Sequence, residues 1–201
     1  MIPVYKFIID YWNYYLLLEK NFLNTLDFVT LSEDNFETYS NEYINIMYTI
    51  GAELENVLKT FCGFKSDEYR TMKDYGKYIK ENYHEILKMS VAVQGKSLIL
   101  KPFDLSNNTL ESSNVLFWWQ AYDNIKHSRL NSRKDGNLKN TLYMLSALFL
   151  LEMYYMKRKL KGHDYEPINK SNIFEFIEND KEYGNNRKMI FKKIENNHQL
   201  L

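Results

Sequence analysis

One short run of the chain combines aromatic bulk with titratable side chains: Ser113-Asn-Val-Leu-Phe-Trp-Trp-Gln-Ala-Tyr-Asp-Asn-Ile-Lys-His-Ser-Arg129. In a helix, Asp123 and His127 are four residues apart and share a face, where a carboxylate can contact an imidazole. An imidazole titrates near neutral pH and can take up or donate a proton. The spacing therefore predicts an acid–base pair, and an ordinary helix-surface contact is the alternative that stays open.

Cationic side chains surround the end of the same run. Lys126 and Arg129 fall in its last turn, and Arg133 and Lys134 follow in a loop. Such side chains can hold phosphate groups. Cations in a last turn also complement the helix dipole, and charge runs in loops are usually solvated, so a purely structural interpretation remains open as well.

The elements that must position these side chains are predicted from apolar residues at helical spacing. Helices are predicted over residues 4–29, 35–61, 67–89, 113–129 and 138–160. A run of β-branched and apolar residues around Gln94-Gly-Lys96 predicts a hairpin. The predicted fold class is all-α, an up-and-down helical bundle with a small β-hairpin insertion near residues 91–101.

Helix starts are predicted from capping residues. Asp34-Asn-Phe-Glu37 resembles a capping box that would open the second helix. Asp135 or Asn137 can open the last helix, and Gly63 can end the second one. Glu53 lies on or beside the apolar stripe of the second helix, so it either has a partner or flanks the stripe and reaches solvent.

Composition limits the class of protein. The chain has 201 residues with 26 basic and 26 acidic side chains, so no global field attracts nucleic acid or an acidic membrane, and any RNA contact needs a local patch. Cys62 is the only cysteine, which excludes an intramolecular disulfide framework and indicates a reducing compartment. The longest apolar run, Leu142 to Met156, contains Glu152 and is shorter than the ~20 residues of a bilayer span. We therefore expect a cytoplasmic protein without a membrane segment.

Domain organisation follows from a change in polarity near the end of the chain. Residues 1–161 are predicted to form one helical domain, and residues 162–201 a polar, loosely docked C-terminal extension with a short amphipathic segment at Ile173 to Ile177. The four histidines are scattered and show no metal-ligand spacing. No metal and no cofactor are predicted.

Several of these segments together resemble one known family. They are Ala52-Glu-Leu-Glu-Asn-Val-Leu-Lys59, Leu100-Lys-Pro-Phe103, Trp118-Trp-Gln-Ala-Tyr-Asp-Asn-Ile-Lys-His-Ser-Arg129 and Leu138 to Leu151. The chain resembles the HEPN superfamily over residues 35–160, in particular bacterial HEPN-like proteins with a Trp-Trp-x-x-Tyr-Asn-x-x-Lys-His-x-Arg run. The resemblance implies an up-and-down helical bundle, usually a homodimer, in which the motif ends of two subunits form one cleft. Catalytic members are metal-independent ribonucleases of toxin–antitoxin, abortive-infection and CRISPR systems.

The catalytic motif of that family is an arginine, a polar residue and then a histidine four to six residues after the arginine. His127 stands at the histidine position and Asp123 at the polar position, whereas Tyr122 stands where the motif has arginine. Arg129, two residues beyond the histidine, is the candidate replacement for that arginine. On this resemblance, the candidate catalytic set is His127, Asp123, Arg129 and Tyr122. Because they lie close in sequence, Lys126, Arg133 and Lys134 are the candidate cations for RNA phosphates, and Glu53 is the candidate supporting carboxylate.

Three hypotheses for function follow. The first is a HEPN-like protein that acts on RNA as a metal-independent ribonuclease of a toxin or anti-phage defence system. The second is a catalytically inactive HEPN-like module that binds a protein partner or a nucleotide. The third is a helical structural protein in which the helix face with Asp123 and His127 serves only for packing. The expected partners are a second copy of the chain, RNA, and an antitoxin or another protein, with no membrane.

Overall fold

The computed structural model of the protein describes residues 3–65, 67–104, 116–159 and 169–177. The described chain is mostly helical and carries a small antiparallel sheet. Its α-helices are α1 (Val4–Phe7), α2 (Asn13–Thr25), α3 (Asn41–Cys62), α4 (Met72–Asn82), α5 (Phe117–Ser128) and α6 (Leu138–Tyr154). Its strands are β1 (Ser90–Val93), β2 (Ile99–Leu100) and β3 (Phe174–Ile177). The predicted mainly helical class is confirmed.

The core forms around α3 and α6, which pack against each other, while α2 and α5 each contact both of them. Every residue of α6 except Lys139 and Tyr143 is buried, because this helix is apolar nearly all round. It is therefore the central helix of the fold. Among the described residues, no helix combines the length and the apolar character that a membrane crossing needs.

The first helix is continuous from α1 to α2 through a π-helical turn, Ile8–Trp12. The predicted start of the second helix was wrong. Ser40, and not the Asp34–Glu37 segment, caps α3, because its hydroxyl accepts the backbone N–H of Tyr43 at 3.0 Å. Two other predictions are confirmed: Gly63 ends α3 with φ 72°, and Asn137 caps α6. The first helix ends at Thr25, before the predicted residue 29.

The predicted third helix, residues 67–89, is shorter than expected. It ends at Asn82 because Tyr83 leaves the helical region (φ −145°, ψ 45°). Residues His84–Lys88 then form a 3₁₀ helix, as Glu33–Asn35 and Arg133–Asp135 do elsewhere.

The predicted hairpin is present, and it belongs to a larger sheet. Val91 pairs with Leu100 across the hairpin, and Gly95 takes φ 68° in its turn. The sheet has one strand more than the predicted hairpin, because β3 pairs with the other edge of β1 and gives the order β2–β1–β3. Ile173 and Phe174 are buried, so this part of the predicted extension packs on the domain. The rest of the predicted extension (162–168 and 178–201) lies outside the described residues.

Candidate functional site

Helix α5 positions the candidate acid–base pair by burying its opposite face. Trp118 is fully buried, and its Nε1 donates to the carbonyl oxygen of Pro102 at 2.7 Å. Ile125 is also fully buried, and its carbonyl oxygen accepts the hydroxyl of Tyr48 on α3 at 3.1 Å. These contacts fix the rotation of α5 about its axis, so Asp123 and His127 lie on the solvent side.

Asp123 and His127 are in contact, as their spacing predicted. The Nε2 atom of His127 is 3.4 Å from Oδ1 of Asp123, and the two side chains are 73% and 48% exposed. A carboxylate at this distance can hold the orientation of the imidazole ring. Helix α5 therefore presents an imidazole in contact with a carboxylate on its solvent side.

Tyr122, which stands where the HEPN motif has arginine, is a core residue. Its side chain is buried, and its ring lies 5.0 Å from the ring of Trp119, centroid to centroid. The ring covers Gly51 of α3, where a Cβ atom would lie 2.4 Å from the ring. Burial raises the pKa of the Tyr122 hydroxyl, an effect that Lys126 opposes. Helix α5 therefore uses this position for packing against α3.

Lys126 is held between α5 and α3. Its Nζ lies 3.5 Å from Oε1 of Glu55 and 5.5 Å from the centroid of the Tyr122 ring. Partial burial acts to lower the pKa of Lys126, but Tyr122 and Glu55 outweigh it, and the pKa is raised. The charge of Lys126 is thus paired with a carboxylate of α3. The other predicted cations, Arg129, Arg133 and Lys134, lie further along the chain.

The remaining predicted cations form what we call the basic end: the exposed side chains of Arg129, Arg133 and Lys134. The loop that carries the last two is tied to α5, because Asn124 Nδ2 donates to Oδ2 of Asp135 at 2.9 Å. This bond keeps the loop beside the C-terminal half of α5, which also carries His127. A shallow cavity of about 270 Å³ lies next to it, lined by Tyr39, Ser40, Asn41, Ile44 and Arg133.

Glu53 lies away from this group. Gly51 and Glu55 face α5 through Tyr122 and Lys126. Because a helix turns about 100° per residue, Glu53 points roughly 200° away from both. It is buried, and Nδ2 of Asn56 donates to its Oε2 at 3.2 Å. Burial raises the pKa of Glu53. The structure thus separates Glu53 from the other predicted site residues, which lie on α5 or in the loop that follows it.

A second polar site, which the sequence prediction missed apart from Glu53, lies on that other face. It is a cavity of about 340 Å³ between the π-helical turn and α3. Its lining residues are Asp10, Tyr11, Glu53, Asn56, Lys59, Thr60 and Phe64. Glu152 of α6 is fully buried nearby, and burial, followed by the charge of Glu53, raises its pKa well above the usual range. The sequence signals for this site were Glu53 beside the apolar stripe of α3 and Glu152 inside the longest apolar run.

Comparisons with protein-family models, with curated proteins and with solved structures found no match to this chain. Within the described part of the chain, no three His, Cys, Asp or Glu side chains are grouped in a way that could hold a metal ion. The resemblance to HEPN proteins therefore consists of short sequence segments, chiefly the run around His127.

The packing of Tyr122 on Gly51 gives a first testable prediction. Gly51→Ala is expected to lower the free energy of unfolding by about 1–3 kcal/mol, because the added methyl group would overlap the buried ring. Gly76→Ala in α4 is the matched control, since a Cβ atom there meets nothing within 4 Å. It should be neutral or stabilising by about 1 kcal/mol. Equal urea midpoints for the two variants would contradict the contact between α3 and α5.

Proposed function

We propose that the protein is a HEPN-like protein that acts on RNA as a metal-independent ribonuclease. The observation that carries the proposal is the solvent-exposed His127–Asp123 pair, 3.4 Å apart, beside the basic end. An exposed imidazole with an orienting carboxylate is suited to proton transfer, and neighbouring arginines are suited to phosphate. The family motif around His127 supports the same assignment.

The chemistry requires two proton transfers. A base removes the proton of a ribose 2′-hydroxyl, whose oxygen attacks the adjacent phosphorus, and an acid protonates the departing 5′-oxygen. Cations stabilise the charge that develops on the phosphorane. His127 takes the role of base, Asp123 orients it, and Arg129 or Arg133 contacts the phosphate. Helix α5 carries a single histidine, so we propose a two-fold dimer in which the second His127 is the acid.

The test is cleavage of an RNA by the purified protein in EDTA, comparing two histidine variants. His127→Ala is expected to lower the rate by about 10²–10⁴-fold. His84→Ala is the matched control, because His84 is equally exposed at 74% and lies 3.7 Å from the carboxylate of Glu85. Its rate should equal that of the native protein. Equal loss in both variants, or equal activity in both, would contradict the role of His127.

A catalytically inactive HEPN-like module is the second candidate, and one observation favours it. Tyr122 occupies the position of the motif arginine and is buried, so α5 presents no arginine there. This candidate predicts no RNA cleavage by the native protein and a folded His127→Ala variant with weakened binding of a protein partner or nucleotide. The first candidate differs in its expected partner: a ribonuclease of a toxin or anti-phage defence system would be restrained by an antitoxin.

A further inference from the structure

The cavity beside the basic end, at the start of α3, is small and has a mixed lining. Its volume of about 270 Å³ is just below the ~300–1,000 Å³ of sites for drug-sized ligands. The lining includes the aromatic ring of Tyr39, the amide of Asn41 and the guanidinium of Arg133. A ring for stacking, an amide for the base edge and a cation for the phosphate are the groups that bind an unpaired nucleotide.

Tyr39 presents its ring from a fixed backbone. The residue is 51% exposed. Its backbone forms an isolated antiparallel bridge with Asn137, and the N–H of the next residue, Ser40, donates to the carbonyl oxygen of Gly136 at 3.1 Å. Because these contacts already order the backbone, a ligand that stacks on the ring has less ordering entropy to overcome. The exposed ring is therefore a preorganised surface for stacking.

The floor of the cavity joins α3 to the loop of the basic end. Ile44 of α3 is buried, and a Cβ atom on Gly136 would lie 2.3 Å from its Cγ1. Gly136 ends the loop that carries Arg133, and the same loop is tied to α5 by the bond from Asn124 to Asp135. A base in the cavity would therefore lie against the loop whose arginine contacts phosphate in the proposed ribonuclease.

The charge of the cavity favours a nucleotide. Among the described residues that line it, Arg133 alone is charged. Glu37, Glu42 and Asp135 are close in sequence, but none of them lines the cavity. Asp135 also accepts the hydrogen bond from Asn124. The lining thus attracts a phosphate and contains no carboxylate that would repel it.

We propose that this cavity binds a nucleobase of single-stranded RNA, which stacks on Tyr39 while Arg133 contacts the adjacent phosphate. The amide of Asn41 can donate and accept hydrogen bonds at the edge of the base. The bases of a duplex are paired and stacked, so they cannot enter the cavity, and the substrate class is single-stranded RNA. The assignment rests on the proposed action on RNA and adds a base-binding residue outside the acid–base pair.

The test is fluorescence anisotropy with the full chain and a labelled RNA of about 16 nucleotides, the upper end of the site sizes of single-strand binding folds. Its riboses carry 2′-O-methyl groups, so attack by a 2′-oxygen cannot cleave it. The native protein should bind the single strand at least about tenfold more tightly than its perfect duplex. Tyr39→Ala should weaken single-strand binding by about tenfold, whereas Tyr39→Phe keeps the ring and should bind like the native protein.

Tyr69→Ala is the matched control. Tyr69 is an exposed tyrosine that follows the C-terminal end of α3, whereas Tyr39 precedes its N-terminal end. The 22 residues of α3 separate these two ends by about 33 Å. Tyr69→Ala should therefore bind the RNA like the native protein, and circular dichroism of each variant checks that the fold is retained.

Binding and cleavage can fail separately. With unmodified RNA, Tyr39→Ala should raise KM by about tenfold and leave kcat nearly unchanged, because stacking is the same in the ground state and the transition state. His127→Ala should abolish cleavage and still bind the 2′-O-methyl RNA like the native protein. Single-strand binding that depends on Tyr39, without cleavage by the native protein, would contradict the ribonuclease and support the base site.

Four results would overturn the base site. They are no binding of the single strand, equal affinity for single strand and duplex, equal affinity of Tyr39→Ala and Tyr69→Ala, and binding of adenosine monophosphate as tight as that of the RNA. The last result would assign the cavity to a free nucleotide. RNA cleavage that depends on His127 alongside any of the four would leave the ribonuclease proposal intact.

Discussion

Glu19→Ala is expected to lower the free energy of unfolding by about 3–5 kcal/mol, because it removes the acceptor shared by two buried hydroxyls and by the Asn172 N–H groups. Glu19 is fully buried in α2, and its Oε1 accepts the hydroxyl of Tyr15 at 2.7 Å and the hydroxyl of Ser171. Its Oε2 accepts the backbone N–H of Asn172 at 2.9 Å and the Nδ2 of the same residue at 3.2 Å. The carboxylate thus joins α2 to the segment that leads into β3.

Urea denaturation measures this effect, with Lys20→Ala as the control. Lys20 is the next residue of α2 and is exposed, so its replacement should change stability by no more than about 0.5 kcal/mol. The Glu19→Ala variant should also show faster amide exchange in β3, whose docking depends on Ser171 and Asn172. A stability loss no larger than that of Lys20→Ala would contradict the network.

Glu152→Gln is expected to flatten the pH dependence of stability. Burial, and then the charge of Glu53, raises the pKa of Glu152 in the folded state well above its ordinary value of 4.5. Above about pH 4.5 the folded protein therefore keeps a proton that the unfolded chain releases. Stability falls as pH rises through this window, by up to about 1.4 kcal/mol per pH unit for one proton. An amide at the same position has no proton to release.

The measurement is the urea midpoint of the native protein and of Glu152→Gln across the acidic to mildly alkaline range. The native midpoint should fall with rising pH more steeply than that of the variant, and the gap should widen until Glu152 ionises in the folded state. Burial also raises the pKa of Glu53, so part of the slope remains in the variant. Parallel curves for the two proteins would contradict a protonated, buried Glu152.

The parts of the fold that could be predicted from the sequence are those fixed by local geometry. Asp123 and His127 meet because four residues make about one helical turn, whatever surrounds the helix. Asn137 caps α6 through its own side chain and the N–H of Asn140, three residues on. The hairpin follows from Gly95 and the flanking apolar residues.

Other parts depend on contacts that are distant in sequence. Both Ser40 and the Asp34–Glu37 segment fit the start of a helix. Ser40 is the residue that caps α3, because its backbone N–H donates to the carbonyl oxygen of Gly136 at 3.1 Å, next to the start of α6. Strand β3 forms because Phe174 lies opposite Val93, 81 positions earlier in the chain. The periodicity of neighbouring residues cannot predict a pairing between strands so far apart in the sequence.

The candidate site divides in the same way. The helical period shows that Glu53 cannot share a face with both Gly51 and Glu55, but only tertiary packing decides which face meets α5. The burial of Tyr122 likewise depends on the space that Gly51 leaves on α3. Sequence therefore predicts the His127–Asp123 pair, whereas the separation of Glu53 and the cavity at the π-helical turn come from the fold.

The most direct test of the ribonuclease proposal is the chemical identity of the RNA ends that the native protein produces in EDTA. Attack by a 2′-oxygen, with His127 as base, predicts fragments with 2′,3′-cyclic phosphate and 5′-hydroxyl ends, and none of them with His127→Ala. Intact RNA with the native protein, or fragments that persist unchanged in the variant, would contradict a catalytic His127.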